Sequence, residues 1–233
     1  MYSLCPAFFK TLLLLYAIVL LATGLGCSGP GHGYVSDESG SKQIEKKIEV
    51  EAYSFNARLR RDGKPTTFKL EVYVTDTLLG LSGRGYLGKG ALKGWLRDDS
   101  LALYFPATGE YVSESLSDLI SVSDCPIPIA TLNAVSLFRT LPDSIALADG
   151  LEVLSNYKKP DRPEFVITAA DCLWQFIITY DLHKNKWRVR EFEFTDGATN
   201  RLTAERDRHK SRAFVKASRF DPTPPDGAHR IRP

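Results

Sequence analysis

The sequence predicts a mainly β fold of the α+β kind: one strongly curved antiparallel sheet with helices laid into its concave side. Three observations predict it. From about residue 44 onward, apolar and polar residues alternate with a period of two, in runs broken by Gly, Pro, Asp and Asn. The longest runs change phase midway or carry glycines, as β-bulges and kinks that bend a sheet require. Residues 115–141 switch to helical spacing between two groups of strands, so the order is strands, helices, strands. A sheet bent that far cannot fill its own hollow. Helices either plug it completely or leave an apolar cavity.

The domain opens with a long extended segment, Ile44 to Arg61. Ile48, Val50 and Ala52 share one phase and Tyr53, Phe55, Ala57 and Leu59 the other, which implies a β-bulge near Tyr53. Asp62-Gly63-Lys64-Pro65 supplies a turn, and the return strand sets Phe68, Leu70, Val72 and Val74 inward against Lys69, Glu71, Tyr73 and Thr75. Short strands follow at Leu78 to Tyr86, Ala91 to Arg97, Leu101 to Phe105 and Glu110 to Ser113, reversed at Asp98-Asp99 and at Pro106-Ala107-Thr108-Gly109.

Helical spacing then places Leu116, Leu119 and Ile120 on one helix, from Ser115 to Val122. After Asp124-Cys125-Pro126, a second helix carries Leu132, Val135, Phe138 and Leu141, with Pro142 ending it. With Ile129 and Leu137 added, that helix is apolar around much of its circumference and must be covered on more than one side. Asp143 to Pro163 carries no readable pattern. Alternation returns through Cys172, Trp174, Phe176, Ile178, Tyr180 and Leu182, and His183-Lys184-Asn185-Lys186 turns the chain into Trp187 to Thr195. There Trp187 and Val189 give way to Phe192 and Phe194, a second phase change and hence a second bulge. Arg201 to His209 and Ser211 to Phe220 make a last hairpin before a Pro-rich end.

Motifs with a chemical meaning are few. Gly83-Arg84-Gly85-Tyr86-Leu87-Gly88-Lys89-Gly90 satisfies the Gly-x-Gly-x-x-Gly pattern and nearly that of a phosphate loop, but both need a helix next, whose free N–H groups hold the phosphate. Ala91 to Asp99 has a glycine inside it and ends in a turn, so it reads as a strand, and the motif as a glycine-kinked hairpin. His32, His183, His209 and His229 stand at no metal-ligand spacing and read as solvated surface residues; neither metal nor cofactor is expected. No Gly-x-Ser-x-Gly elbow occurs, and Asp98-Asp99 falls at a turn, so the expectation is a binding protein and not an enzyme. A net charge of +2 is too small to argue for nucleic acid; the basic tail from Arg201 to Arg232 is either a solvated face or a contact for anionic headgroups.

Ahead of the domain, residues 1–26 read as a secretory signal. One cation, Lys10, precedes an uncharged apolar block from Thr11 to Thr23, too short to span a bilayer comfortably, and small residues close it. Gly26-Cys27-Ser28 at its end resembles the lipobox of bacterial lipoproteins, although Gly24 stands where the pattern prefers Leu. That resemblance implies a mature chain starting at Cys27 and anchored by acyl groups such as palmitate. Residues 27–43, nearly devoid of apolar side chains, form a flexible tether, and residues 44–233 one domain. Cys125 and Cys172 then remain, either as a disulfide pair or as plain thiols.

From about Ile44 to Ile231 the order of features resembles the LolA/LolB superfamily of periplasmic lipoprotein carriers and receptors. The echoes are the early strand pair, Gly85 to Gly90, the Tyr104-Phe105-Pro106 step and the closing segment from Phe220 to Gly227. The resemblance implies an incomplete β-barrel whose concave face is covered by helices. Its hollow would hold acyl chains of a lipid or lipoprotein, lined by Phe68, Leu70, Val72, Leu101, Leu103, Phe105, Trp174, Phe176 and Ile178 under Leu132 and Phe138. It also implies a monomer in the bacterial envelope, held by its lipid at the outer membrane facing the periplasm. The alternative is a structural lipoprotein with a plugged hollow that docks another envelope protein.

Overall fold

The computed structural model describes residues 46–61, 63–85, 88, 90–97, 100–115, 134–144, 150–169, 172–221 and 223–231. The signal, the tether, Cys27, Cys125, Leu132 and most of the helical region, 116–133, lie outside the described residues.

β1 (Lys47–Arg61) and β2 (Lys64–Val74) pair without interruption from Glu51↔Val74 to Arg61↔Lys64. Gly63 makes the turn at φ +77°, a backbone setting that costs glycine no steric strain. β3 (Leu78–Arg84), β4 (Gly90–Arg97), β5 (Ser100–Phe105) and β6 (Glu110–Ser115) extend the meander strand by strand. After a single helical turn, α1 (Ala134–Leu137), and a 3-10 turn at Pro142–Ser144, a second meander begins. It comprises β7 (Leu151–Asn156), β8 (Glu164–Ala169), β9 (Gln175–His183), β10 (Lys186–Thr195) and β11 (Arg201–Lys216). β1 and β11, from the two ends of the domain, pair with each other and join both meanders into one sheet. Its strand order is β12-β6-β5-β4-β3-β2-β1-β11-β10-β9-β8-β7, where β12 (His229–Arg230) lies parallel to β6 and every other pair is antiparallel.

The open, mainly β sheet agrees with the expectation, but helices covering its concave side are not seen among the described residues. Ser115 ends β6 instead of opening a helix, and α1 is one turn. Gly90 opens a strand, β4, so the glycine-rich segment is a hairpin and not a phosphate loop. Two strands, β7 and β8, fall in and just after the stretch that carried no pattern, and Cys172 to Trp174 precede β9 instead of belonging to it.

The expected final hairpin is one strand of 16 residues, followed by a 3-10 turn at Ala217–Phe220. His209-Lys210-Ser211 holds no glycine, proline or asparagine to reverse the chain, and β1 offers a template nearly as long. The phase change near Tyr53 likewise has a different cause. β1 is regular against β2, and the register shifts against β11, between Val50 and Ala52 and between Ser54 and Phe55, leave the extra residues on β11. The apolar residues of β1 serve two cores on opposite faces. The expected bulge in β10 is present, with Arg190 unpaired between Val189↔Tyr180 and Glu191↔Thr179.

On one face, here called inner, Tyr53, Phe55 and Ala57 join one large apolar cluster with β2–β5 and β8–β10. On the outer face Val50, Tyr73, Leu78 and Phe220 form a smaller one, with Ile48, Ala52, Trp95, Ala213 and Val215 around it. Phe220 sits where the chain leaves β11 and crosses the outer face towards β12. A Cβ on Gly80 would stand 2.7 Å from the Phe220 ring, so Gly80 is the notch that admits it.

Candidate functional site

The inner wall is built from cross-strand rows of apolar side chains. One runs Tyr53, Val72, Leu81, Gly94, Leu103, Val112 from β1 to β6. Gly94 is there because Leu103 leans over it, only 2.5 Å from where a Cβ would be. A second row runs Phe68, Ala57, Ala204, Phe192, Ile178, Phe165, crossing the β1–β11 seam. A third runs Leu59, Leu202, Phe194, Phe176, Ile167.

The lining expected from the sequence comes together here. Leu70, Val72, Leu101, Leu103, Phe105, Trp174 and Ile178 are buried in the cluster, and Phe68, Phe138 and Phe176 pack against it half-buried. Towards the Thr195 end of β10 the wall is less covered: Phe68, Phe176, Phe192, Phe194 and Leu202 are all half-buried. Phe192 stacks edge-on to Phe55 at 5.3 Å between ring centres and lies 6.1 Å from Phe176.

One buried tyrosine fastens α1 to this wall, and a second shares its one hydroxyl proton between α1 and Glu51. Tyr180 donates its hydroxyl to the Leu137 carbonyl at 2.8 Å, and the Tyr53 hydroxyl lies 3.0 Å from the Phe138 carbonyl. These are carbonyls at a helix C-terminus, which has no partner of its own. Burial holds both hydroxyls well above the ordinary tyrosine range, with the Glu51 charge adding to the effect at Tyr53, so both remain donors.

Beside them lies a polar cluster that sequence reasoning missed. Glu51 Oε1 is 2.9 Å from the Tyr53 hydroxyl, 2.7 Å from His209 Nε2 and 2.7 Å from Arg188 Nε. The Arg188 N–H is not aimed along that last line, so the contact is one of charge and not a hydrogen bond. Burial pushes the Glu51 carboxyl up. Hydrogen bonds from His209 and Tyr53 and the nearby Arg188 and His209 charges outweigh it and leave the carboxyl below its ordinary value. The cluster fills a split in the sheet: β10 pairs with β11 only over Glu191–Thr195, and beyond the Arg190 bulge the two strands part. Arg206 spans the gap, donating to the Val189 carbonyl at 2.8 Å and pairing with Asp181.

His209 is therefore not the solvated surface residue expected; its side chain is 14% exposed and bound to Glu51. His183 and His229 are exposed, and His32 lies outside the described residues. One signal for the cluster was present in the sequence. Glu51 shares the inward phase of Tyr53 and Phe55, a carboxylate in a core position that demands a partner. Nothing in the sequence named Arg188 or His209 as that partner. Cys172 is disulfide-bonded; Cys125, its expected partner, lies outside the described residues. Among the described residues no three His, Cys, Asp or Glu side chains are grouped to hold a metal ion.

No model of a known protein family matches this sequence, and no curated protein is similar to it. Several solved structures are. A putative outer membrane lipoprotein-sorting protein domain from Vibrio parahaemolyticus is similar at 9% identity and a TM-score of 0.41, over 74% of this chain and 89% of that one. A DUF1329 family protein from Desulfovibrio piger is similar at 10% identity and a TM-score of 0.41, over 93% and 96%. A LolA superfamily protein from Nitrosomonas europaea is similar at 9% identity and a TM-score of 0.34, over 76% and 91%.

Proposed function

We propose that this is a lipid-anchored binding protein of the bacterial envelope that holds an acyl chain, of a lipid or a lipoprotein, against the inner wall of its sheet. The observation that carries the reading is the half-buried aromatic end of that wall. Phe68, Phe176, Phe192 and Phe194 continue the apolar core towards solvent without a charged side chain among them in their cross-strand rows. Surface apolar residues occur singly as a rule, and a contiguous set marks a binding surface. The polar groups at the split between β10 and β11 are engaged with one another, which supports a role in binding and not in catalysis.

Organic extraction of the protein purified from membranes, followed by mass spectrometry, is expected to release an amphiphile beyond the acyl groups on Cys27. Titration of the delipidated protein with palmitate is expected to saturate, and Phe192→Glu to weaken it by about tenfold or more. A protein that yields no amphiphile and takes up no palmitate refutes the reading. Cys27→Ala is expected to move the chain to the soluble fraction, because stable anchoring takes about two acyl chains.

One observation favours a second reading, docking of another envelope protein. β7 is an edge strand that leaves Leu154 67% exposed, and Tyr157, just past its end, is 45% exposed. Loss of a co-purifying protein in Leu154→Lys, with palmitate uptake absent from both proteins, would favour it.

A further inference from the structure

The outer face carries a concavity that the acyl-chain reading does not use. Its floor is a patch of β4, β5 and β6, where Lys93, Tyr104 and Tyr111 stand in one cross-strand row and Trp95 lies opposite Ala102 in the next. The small Ala102 side chain leaves a dip between the indole and the two phenols. Ser218, Arg219, Asp221, Thr223, Pro224 and Pro225, between β11 and β12, form the opposite wall. Floor and wall border an open hollow of about 170 Å³. Sites for drug-sized ligands measure roughly 300–1,000 Å³, so this one suits a single ring.

Its chemistry is mixed. Aromatic faces line the floor, while Lys93, Asp221, Thr223 and the tyrosine hydroxyls supply donors and acceptors around it. Arg219 is already committed, pairing with Glu71 at 3.5 Å and lying over the Tyr73 ring, so the pocket lacks the free paired cations that a phosphate needs.

We propose that this pocket binds one pyranose ring of a carbohydrate. A sugar ring presents C–H groups on its faces, which pack on aromatic rings, and hydroxyls at its edge, which need both donors and acceptors. A hydrocarbon chain would use the floor and leave the polar rim of Lys93, Asp221 and Thr223 unused. The site lies on the face opposite the acyl-binding wall, so it stands or falls independently.

The test uses the full chain with methyl β-glucoside, methyl N-acetyl-β-glucosaminide and chitotriose as probes, read by saturation-transfer NMR and titration. At least one glycoside is expected to bind with Kd on the order of 1 mM. Ala102→Leu, which fills the dip, is expected to weaken it by about tenfold or more while palmitate uptake is unchanged. Should Ala102→Leu fail to fold by circular dichroism, Tyr104→Leu and Lys93→Met at the open side are read in its place. Tighter binding of chitotriose than of the single ring identifies a glycan chain as the source, and equal binding a free sugar. Absence of saturation transfer from every probe, or equal affinity in the folded variants, overturns the proposal.

Discussion

Replacing Glu51 by Gln tests the physical account of the inner face most directly. The side chains of Glu51 and Arg188 are 11% and 9% exposed, so their charges are nearly desolvated and each depends on the other. Removing one partner of such a pair leaves the second uncompensated and costs about 3–5 kcal/mol. The amide introduced by Glu51→Gln would keep an oxygen for His209 and Tyr53, which puts the expected loss at the lower end, about 3 kcal/mol. For a chain of this size that is roughly 6–12 °C in Tm. Thermal and urea unfolding followed by circular dichroism measure it.

The same carboxylate sets a pH dependence. Its folded pKa lies below its unfolded value, so the unfolded chain binds the proton more readily and stability rises with pH through this range. The contribution is complete above the ordinary value of 4.5 and is lost as pH falls through the depressed folded value. Glu51→Gln is expected to flatten that acid limb. A Tm loss below about 2 °C at neutral pH, with the limb unchanged, would show that water screens the cluster and would refute the reasoning.

Three further outcomes follow from the packing. Tyr180→Phe removes a buried donor 2.8 Å from the Leu137 carbonyl and is expected to cost about 1–3 kcal/mol, measured by urea unfolding; an unchanged midpoint would mean that α1 is not held there. Gly80→Val places methyl groups where the Phe220 ring already stands, and an overpacking cost of about 1–3 kcal/mol is expected together with faster hydrogen exchange at Phe220. Reduction of the mature protein under denaturing conditions is expected to raise its mass by about two hydrogens if Cys172 is bonded within the chain, and loss of that shift in Cys125→Ser identifies the partner.

Much of the fold is legible in the sequence because a half-buried strand writes its two faces as a period of two. β2, β5 and β9 are visible this way, as is the Arg190 bulge, where Val189 and Phe192 cannot share a face without an extra residue. β7 is not visible, since an edge strand that exposes Glu152, Leu154 and Ser155 has no clean apolar face to declare itself. Most of the inner apolar cluster was legible as alternating large apolar residues. The polar cluster was not, because Glu51, Arg188 and His209 are far apart in the chain and meet only where β10 and β11 part.

The sequence by itself determined the longer strands with one buried face, such as β2, β5 and β9, and their inward residues, because alternation and turn chemistry are local properties of the chain. Tertiary structure decided the rest. It alone made 201–216 one strand, since β1 supplies the partner that the local sequence cannot show. It gave β1 two cores on opposite faces, because the chain end returns over the outer face with Phe220. It also placed Glu51, Arg188 and His209 in a seam where backbone hydrogen bonds run out and side-chain charges take their place, a consequence of how strands diverge in space.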